Sequence, residues 1–170
     1  TLLINKAAES EDYKGMGTTL VAATLQDNVL RIANVGDSRL YYIGKDIQQI
    51  TRDHSLVEDM VRMGLLEKEE ARTHYKKNVI TKAIGVAEDK TATPDIFEIE
   101  IDNGDKLLLC SDGLTNMVID YDINKIIRKS ESIEDAVRTL INTANENGGK
   151  DNISAILISA EYTENQDSLL

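Results

Sequence analysis

Three aspartates stand where predicted β-strands begin or end, and each offers the chemistry of a hard metal ligand. Asp37 and Asp112 directly follow predicted strands, and Asp151 directly precedes one. The run before Asp112, residues 107–110, is wholly apolar, which is typical of a strand buried on both faces. If the last strand runs antiparallel to that one, the carboxylates of Asp112 and Asp151 lie at the same edge of a sheet.

Neighbouring carboxylates repel one another unless a cation lies between them. Carboxylate oxygens suit Mg²⁺ or Mn²⁺, which keep several water ligands of their own. Two such ions about 3.5–4 Å apart can share a water, lower its pKa and hold it for in-line attack on phosphorus. The aspartates therefore favour metal-assisted phosphoryl hydrolysis. The alternative is that all three are ordinary turn residues, since Asp-Gly turns are common.

Other side chains with reactive chemistry give weaker signals. His54 and His74 lack the spacing of metal ligands and are expected to be ordinary polar residues. Cys110 lies in an apolar run and is expected in the core. Ser111 has no evident base partner, and the glycine-rich residues 15–19 lack the lysine of a phosphate-binding P-loop.

Composition excludes several classes of function. The net charge of −11 argues against nucleic acid as a partner and is compatible with binding cations. No apolar run approaches the roughly 20 residues that a membrane span needs. A single cysteine indicates a reducing, cytoplasmic setting without a disulfide framework. The length of 170 residues predicts one domain, and because the first residue is Thr1 we expect part of a longer chain.

The pattern around the aspartates predicts mostly strands, followed by helices. Residues 18–50 are predicted to form an antiparallel meander, and residues 95–101 a strand that turns through 102–105 into the strand before Asp112. A polar insertion of two short helices, 56–63 and 67–74, is a candidate flap, with a returning strand at 78–85. Further predictions are a helix tail in residues 2–8, a loop at 88–94, a helix over 120–129, a helix capped by Ser132, and a last strand over 153–160.

Six motifs, taken in order, resemble the type 2C (PPM) protein serine/threonine phosphatases, specifically the short bacterial type. They are GMGTTLVAA at 15–23, ANVGDSRLY at 33–41, TRDHSLV at 51–57, VITKAIG at 79–85, LLLCSDGLTNMV at 107–118 and GGKDNIS at 148–154.

The resemblance implies an α+β fold, an antiparallel β-sandwich flanked by helices in the order α/β/β/α. It implies hydrolysis of phosphoserine and phosphothreonine in proteins by a water activated by two to three Mn²⁺ or Mg²⁺ ions. By the family pattern, Asp112 and Asp151 bind the second metal, and Asp37 with Asp112 binds a third. Residues from about 56 to 78 correspond to the family's flap, which influences substrate choice. The implied partners are phosphorylated proteins and the serine/threonine kinase that the enzyme opposes.

The chain departs from the family pattern at its start. It lacks the RxxNED-type and DGMGGH-type motifs, which supply the bridging aspartate and the other catalytic groups of the family. We therefore expect residues 1–162 to be the C-terminal two-thirds of such a domain, with a polar tail at 163–170. We expect the chain alone to have little activity and to bind Mn²⁺ weakly. Two alternatives are a non-catalytic phosphatase-like module that binds phosphoproteins or another partner, and a plain acidic α+β domain without a site.

Overall fold

The computed structural model describes residues 5–6, 9–13, 15–85 and 93–161. Their strands are β1 (Leu20–Gln26), β2 (Val29–Val35), β3 (Arg39–Ile43), β4 (Ile47–Gln49), β5 (Asp95–Glu100), β6 (Lys106–Cys110) and β7 (Ala155–Ser159). Their helices are α1 (Leu56–Arg62), α2 (Lys68–Ala71), α3 (Asp112–Thr115), α4 (Asp120–Lys129) and α5 (Ile133–Glu146), after a short 3₁₀ turn at Glu11–Tyr13. No helix in these ranges has the length and apolar character needed to cross a membrane.

The strands form two antiparallel sheets, β1-β2-β5 and β4-β3-β6-β7, which confirms the predicted α+β sandwich. The predicted meander over residues 18–50 is wrong, because β2 and β3 lie in different sheets. The predicted hairpin through residues 102–105 is wrong for the same reason, since β5 pairs with β2 and β6 pairs with β3 and β7. Alternation along a strand shows which side chains are buried, but it does not show which strand lies beside it.

Period-two alternation along the strands builds two hydrophobic layers. Leu107 of β6 faces the other sheet, whereas Leu108 and Cys110 face the helices, as expected for a strand buried on both sides. The layer between the sheets contains Leu30, Ile32, Leu40, Ile101, Leu107 and Ala160. The layer under the helices contains Tyr41, Ile43, Leu108, Cys110, Leu114, Val118, Ile123, Ile127, Ala136, Leu140, Ala144 and Leu157.

Helices α4 and α5 begin at the predicted residues and cover the second sheet. The Ser132 side chain accepts a hydrogen bond from Asp135 N, which confirms it as the N-cap of α5. Within the described ranges these helices lie on one side only. The outer face of the first sheet is open, and Ile96 of β5 is 65% exposed there.

The insertion between β4 and β5 is less regular than predicted. Helix α1 ends at Arg62 because Gly64 takes a positive φ of 69°, and α2 is a single turn. The predicted strand at 78–85 is wrong. Ile80 and Ile84 each make one isolated bridge, to Ser55 and Thr18 respectively, so the segment has no continuous ladder with either partner.

The predicted helix tail at residues 2–8, the loop at 88–94 and the polar tail at 163–170 fall wholly or mainly outside the described residues.

Candidate metal centre

Strand register places all three aspartates at one end of the second sheet. Arg39 of β3 pairs with Cys110 of β6, so Asp37, two residues before one strand, and Asp112, two residues after the other, leave the sheet side by side. Cys110 also pairs with Ala155 of β7, which brings the segment that contains Asp151 to the same end.

Hydrogen bonds from the backbone and the side chain of Ser111 join the Asp112 segment to the backbone of the Asp151 segment. Ser111 N donates to Ser154 O at 3.0 Å, the Ser111 hydroxyl donates to Asn152 O at 3.2 Å, and Ser154 N donates to that hydroxyl at 3.0 Å. A β-carbon on Gly113 would overlap the carbonyl oxygen of Asn152 and lie 2.9 Å from its carbonyl carbon. Glycine is therefore needed for this approach, and the Ser111 hydroxyl is bonded to two backbone groups of the Asp151 segment.

The backbone before Asp37 is fixed by a buried histidine. Gly36 N donates to His54 Nδ1 at 2.9 Å, and His54 N donates to Gly36 O at 2.9 Å. Gly36 takes a φ of 109°, and a β-carbon there would overlap the side chain of Thr19. The Thr19 hydroxyl is hydrogen-bonded to that of Ser38 at 2.9 Å, so Thr19 contacts the residues on both sides of Asp37.

His54 is therefore more than the ordinary polar residue that its isolation in the sequence predicted. It is buried, and its Nδ1 must be unprotonated to accept from Gly36. Its Nε2 lies 3.3 Å from Asp95 Oδ2. Burial alone would raise the pKa of Asp95, but Lys82 and His54 hold that pKa below its usual value.

The aspartates act on one another electrostatically. Burial, together with the nearby Asp112 carboxylate, raises the pKa of Asp37 to about 6. Burial and the Asp151 carboxylate likewise raise the pKa of Asp112. In the part of the chain that the structure describes, none of these three carboxylates forms an ion pair with a basic side chain. Arg39 offsets part of this repulsion, but the pKa values of Asp37 and Asp112 remain raised, and such partly buried negative charge is complementary to a cation.

The three carboxylates do not converge on one point. Within the described ranges, no three histidine, cysteine or acidic side chains are arranged so that together they could enclose a metal ion. Asp112 instead has two acidic neighbours, Asp37 on one side and Asp151 on the other. The donor set is made of carboxylate oxygens alone, and this chemistry fits Mg²⁺, Mn²⁺ or another hard divalent ion.

A cleft of about 460 Å³ opens between this edge of the sheet and the insertion between β4 and β5. Residues 56–78 of this insertion are called the flap from here on. Its lining includes Asp37 and Asp112 from the edge of the sheet. From the flap it includes the basic side chains of Lys68, Arg72 and Lys77 together with the acidic side chains of Glu58 and Glu69. Its volume is within the usual range for small-molecule and side-chain binding sites.

Arg39 forms a nearly buried ion pair under the cleft, which reasoning from the sequence did not identify. Its guanidinium donates to Asp53 through Nε at 2.9 Å and Nη2 at 2.7 Å, and to the Tyr41 hydroxyl at 2.8 Å. That hydroxyl donates to Asp120 at 2.9 Å. Burial alone would lower the pKa of Arg39, but Tyr41 and Asp53 raise it. No sequence period pairs positions 39 and 53, so only the fold brings them together.

The flap is joined to α3, the helix that begins at Asp112. Arg72 Nη2 donates to Thr115 O at 3.1 Å, and Lys77 Nζ donates to Asn116 Oδ1 at 3.0 Å. Asn116 Nδ2 in turn donates to Asp112 Oδ2 at 3.1 Å. Burial, with Arg72 nearby, lowers the pKa of Lys77. The spacing of four residues between Asp112 and Asn116 is the only sequence signal for this contact.

Comparison with known proteins gives a consistent result. Residues 3–153 match the family described as "Protein phosphatase 2C". The chain is 43% identical over 159 residues to serine/threonine phosphatase stp of Listeria monocytogenes, covering 92% of this chain and 62% of the relative. It is 41% identical over 157 residues to protein phosphatase PhpP of Streptococcus pneumoniae, covering 92% and 63%. The chain thus spans less than two thirds of the length of these relatives.

Solved structures match the fold closely. Serine/threonine phosphatase Stp1 from Staphylococcus aureus superposes with a TM-score of 0.90 at 44% identity, covering 95% of this chain and 63% of that one. The catalytic domain of the serine/threonine protein phosphatase PstP, solved in complex with two manganese ions, superposes with a TM-score of 0.80 at 31% identity, covering 93% and 64%.

Proposed function

Since this chain belongs to the protein phosphatase 2C family, we propose that it is part of an enzyme that hydrolyses phosphoserine and phosphothreonine in proteins with the help of divalent metal ions. The observation that carries the proposal is the edge of the second sheet. There Asp112 lies between two further carboxylates, without a basic partner among the described side chains, at the floor of a cleft.

Two pairs of ligands share Asp112 in this proposal. Asp112 and Asp151 hold one ion, and Asp37 and Asp112 hold another. The register of the second sheet supports this division, because it brings the Asp37 and Asp151 segments to the end of β6 that Asp112 follows. The Asp112 carboxylate also raises the pKa of Asp37, and the Asp151 carboxylate raises that of Asp112. The ions are Mn²⁺ or Mg²⁺, since all the donors are hard oxygens. A homologous catalytic domain, that of PstP, has been solved with two manganese ions.

Bound there, a divalent ion supplies a Lewis acid that activates water for attack on a phosphoryl group. The chain's own contribution is to place the carboxylates. The hydrogen bonds of Ser111 hold the Asp112 and Asp151 segments together, and His54 holds the backbone that leads to Asp37. Lys68, Arg72 and Lys77 of the flap line the same cleft, and such basic side chains suit an anionic phosphorylated substrate.

We propose phosphorylated proteins as the substrates, with a serine/threonine kinase as the opposing enzyme and the cytoplasm as the compartment. The names of the relatives from Listeria and Streptococcus support a protein-phosphatase role. The single, buried cysteine suits a reducing compartment. Residues 1–162 form the phosphatase-like domain in this proposal, and residues 163–170 are a tail.

We further propose that the 170-residue chain by itself has little phosphatase activity and binds Mn²⁺ weakly. The absence of a third converging ligand in the described residues supports this, because two carboxylates leave most of an octahedral ion to water.

Metal titration and a phosphatase assay test the proposal together. Binding of Mn²⁺ to the chain is followed by the electron paramagnetic resonance signal of free Mn²⁺, in the parent and in Asp112→Ala and Asp151→Ala. We expect weak binding that both substitutions reduce. Turnover of a phosphothreonine peptide with Mn²⁺ is then compared between this chain and a longer chain that adds the family's RxxNED-type and DGMGGH-type motifs, and only the longer chain is expected to be active.

Several outcomes would contradict this proposal. Nanomolar Mn²⁺ affinity of the 170-residue chain would contradict weak binding. Affinity that Asp112→Ala leaves unchanged, or a crystal soaked in Mn²⁺ with no ion near the aspartates, would remove the metal site. A longer chain that binds phosphopeptide without hydrolysing it would favour the non-catalytic alternative.

A further inference from the structure

We propose that Asn116 is a positioning residue for the Asp112 carboxylate, and that Lys77 of the flap holds the Asn116 amide in its working orientation. This inference rests on the proposed function, since it concerns how Asp112 presents itself to a metal ion. It adds a residue to the site and a physical link between the flap and the metal ligand.

The hydrogen bonds determine the orientation of the amide. Lys77 Nζ lies 3.0 Å from one terminal atom of Asn116, and Asp112 Oδ2 lies 3.1 Å from the other. An ammonium group can only donate, and an ionised carboxylate can only accept. The amide must therefore present its oxygen to Lys77 and its NH₂ to Asp112. The reverse orientation would lose both hydrogen bonds.

The contact also orients the Asp112 carboxylate. Because the amide occupies one lone pair of Oδ2, ions that leave this hydrogen bond intact must bind at the remaining lone pairs of the carboxylate. The two residues are four apart along α3 and its C-terminal cap, where Asn116 N also donates to Asp112 O at 2.8 Å, so they share one helix face. Hydrogen bonds to a ligating carboxylate commonly tune metal affinity by about 10–100-fold.

Asn116 performs this role without adding charge. A lysine or arginine at the same place would compete with the metal for the carboxylate, and an acidic residue would add repulsion to a carboxylate that already has acidic neighbours. The positive charge stays one step away, on Lys77, which approaches from the flap and not from the sheet.

Lys77 has two opposite effects on cation binding, and this makes its role testable. As a positive charge in the same cleft it opposes a bound cation, so its removal should favour Mn²⁺. As the partner that orients Asn116, its removal should disfavour Mn²⁺. The second effect exists only while Asn116 is present, so the two can be separated by combining substitutions.

The first experiment measures Mn²⁺ affinity of the 170-residue chain by electron paramagnetic resonance, with thermal unfolding recorded for each variant. Asn116→Leu, which is neutral and of similar volume, should lower affinity by about tenfold. Asn116→Ala should lower it comparably, which separates the lost hydrogen bond from a packing effect. The matched control is Asn124→Leu, because Asn124 is a half-buried helical asparagine bonded to Arg128, which reaches the β3–β4 turn at the other end of the sheet.

The second experiment is a double-mutant cycle. Lys77→Met is introduced both into the parent and into the Asn116→Leu variant, and the factor by which it changes Mn²⁺ affinity is measured in each. We expect the factor in the parent to be at least about threefold lower than the factor in Asn116→Leu. Lys76→Met is the control for charge, since Lys76 is a neighbouring flap lysine whose ammonium group lies over the Tyr75 ring, 5.5 Å from its centroid. It should change affinity equally in both backgrounds.

The outcomes separate this inference from the proposed function. If Asp112→Asn leaves Mn²⁺ affinity unchanged, the metal site itself is refuted. If Asp112→Asn lowers affinity but both Asn116 variants bind like the parent, Asn116 does not position the ligand. If Lys77→Met has the same effect in both backgrounds, the flap does not act through Asn116.

Discussion

Gly113→Ala tests whether the close approach of helix α3 to the Asn152 backbone sets the distance between the proposed ligands. The new β-carbon would overlap the carbonyl oxygen of Asn152 and lie 2.9 Å from its carbonyl carbon. Carbon atoms pack best at about 3.5–4.0 Å, so the segments must separate by roughly 0.6–1.1 Å. A functional site tolerates displacements of only about 0.5 Å. We therefore expect Mn²⁺ affinity to fall by roughly 10–100-fold, as for other losses of support around metal ligands.

The same substitution should destabilise the chain only moderately. Overpacking costs about 1–3 kcal/mol, and the upper end applies because the neighbour is backbone and cannot rotate away. Alanine in place of glycine in helix α3 returns up to about 1 kcal/mol. The expected net loss is about 2 kcal/mol, which lowers the midpoint of thermal unfolding by about 4–8 °C. Circular dichroism measures the midpoint, and the Mn²⁺ titration at a temperature well below it measures the affinity.

Gly104→Ala is the matched control for stability. Gly104 has a φ of 89° and open space around it, so alanine there costs about 1–2 kcal/mol of backbone strain without moving either segment. It should unfold earlier and bind Mn²⁺ like the parent. If Gly113→Ala unfolds earlier yet keeps the parent's affinity, the close approach does not control the site. If Gly104→Ala also loses affinity, the loss reflects general destabilisation.

Two further predictions concern groups buried beneath the site. Asp53→Ala leaves the Arg39 guanidinium, whose side chain is 20% exposed, without its carboxylate, and should lower the free energy of unfolding in urea by about 3–5 kcal/mol. Glu98→Ala breaks the exposed pair with Arg31 and should lower it by under about 1 kcal/mol. Equal losses in the two variants would refute the distinction between buried and exposed pairs. Burial raises the pKa of the Cys110 thiol to about 12, so the reactive thiolate is lost as pH falls below that value. Alkylation by iodoacetamide at pH 8–9 should therefore be slow in the native chain and fast in urea. Rapid alkylation of the folded chain at pH 8 would show that the thiol is accessible.

The sequence predicted local structure well where burial followed a simple period. Strand β2 and helix α4 have the predicted bounds, and Ser132 caps α5 as its position before an acidic first turn indicated. These features depend on neighbours within about four residues, whose preferences are visible in the sequence itself.

Prediction failed where the partner of a segment lies far along the chain. The insertion contains too few buried residues to impose a period, so the bounds of its helices and the nature of residues 78–85 could not be derived. The sequence also could not show that β2 and β3 lie in different sheets, because buried and exposed side chains alternate along both strands in the same way.

For the site, the sequence by itself determined the chemistry that the proposal uses: three aspartates near strand ends, whose carboxylates are hard oxygen donors, and motifs of a known family in order. Only the tertiary structure decided that Asp112 is the central carboxylate, that His54 supports the Asp37 backbone and that Lys77 reaches Asn116. Donor type is a property of each residue, whereas proximity arises from strand register and contacts between distant segments, which join positions 18 to 75 residues apart.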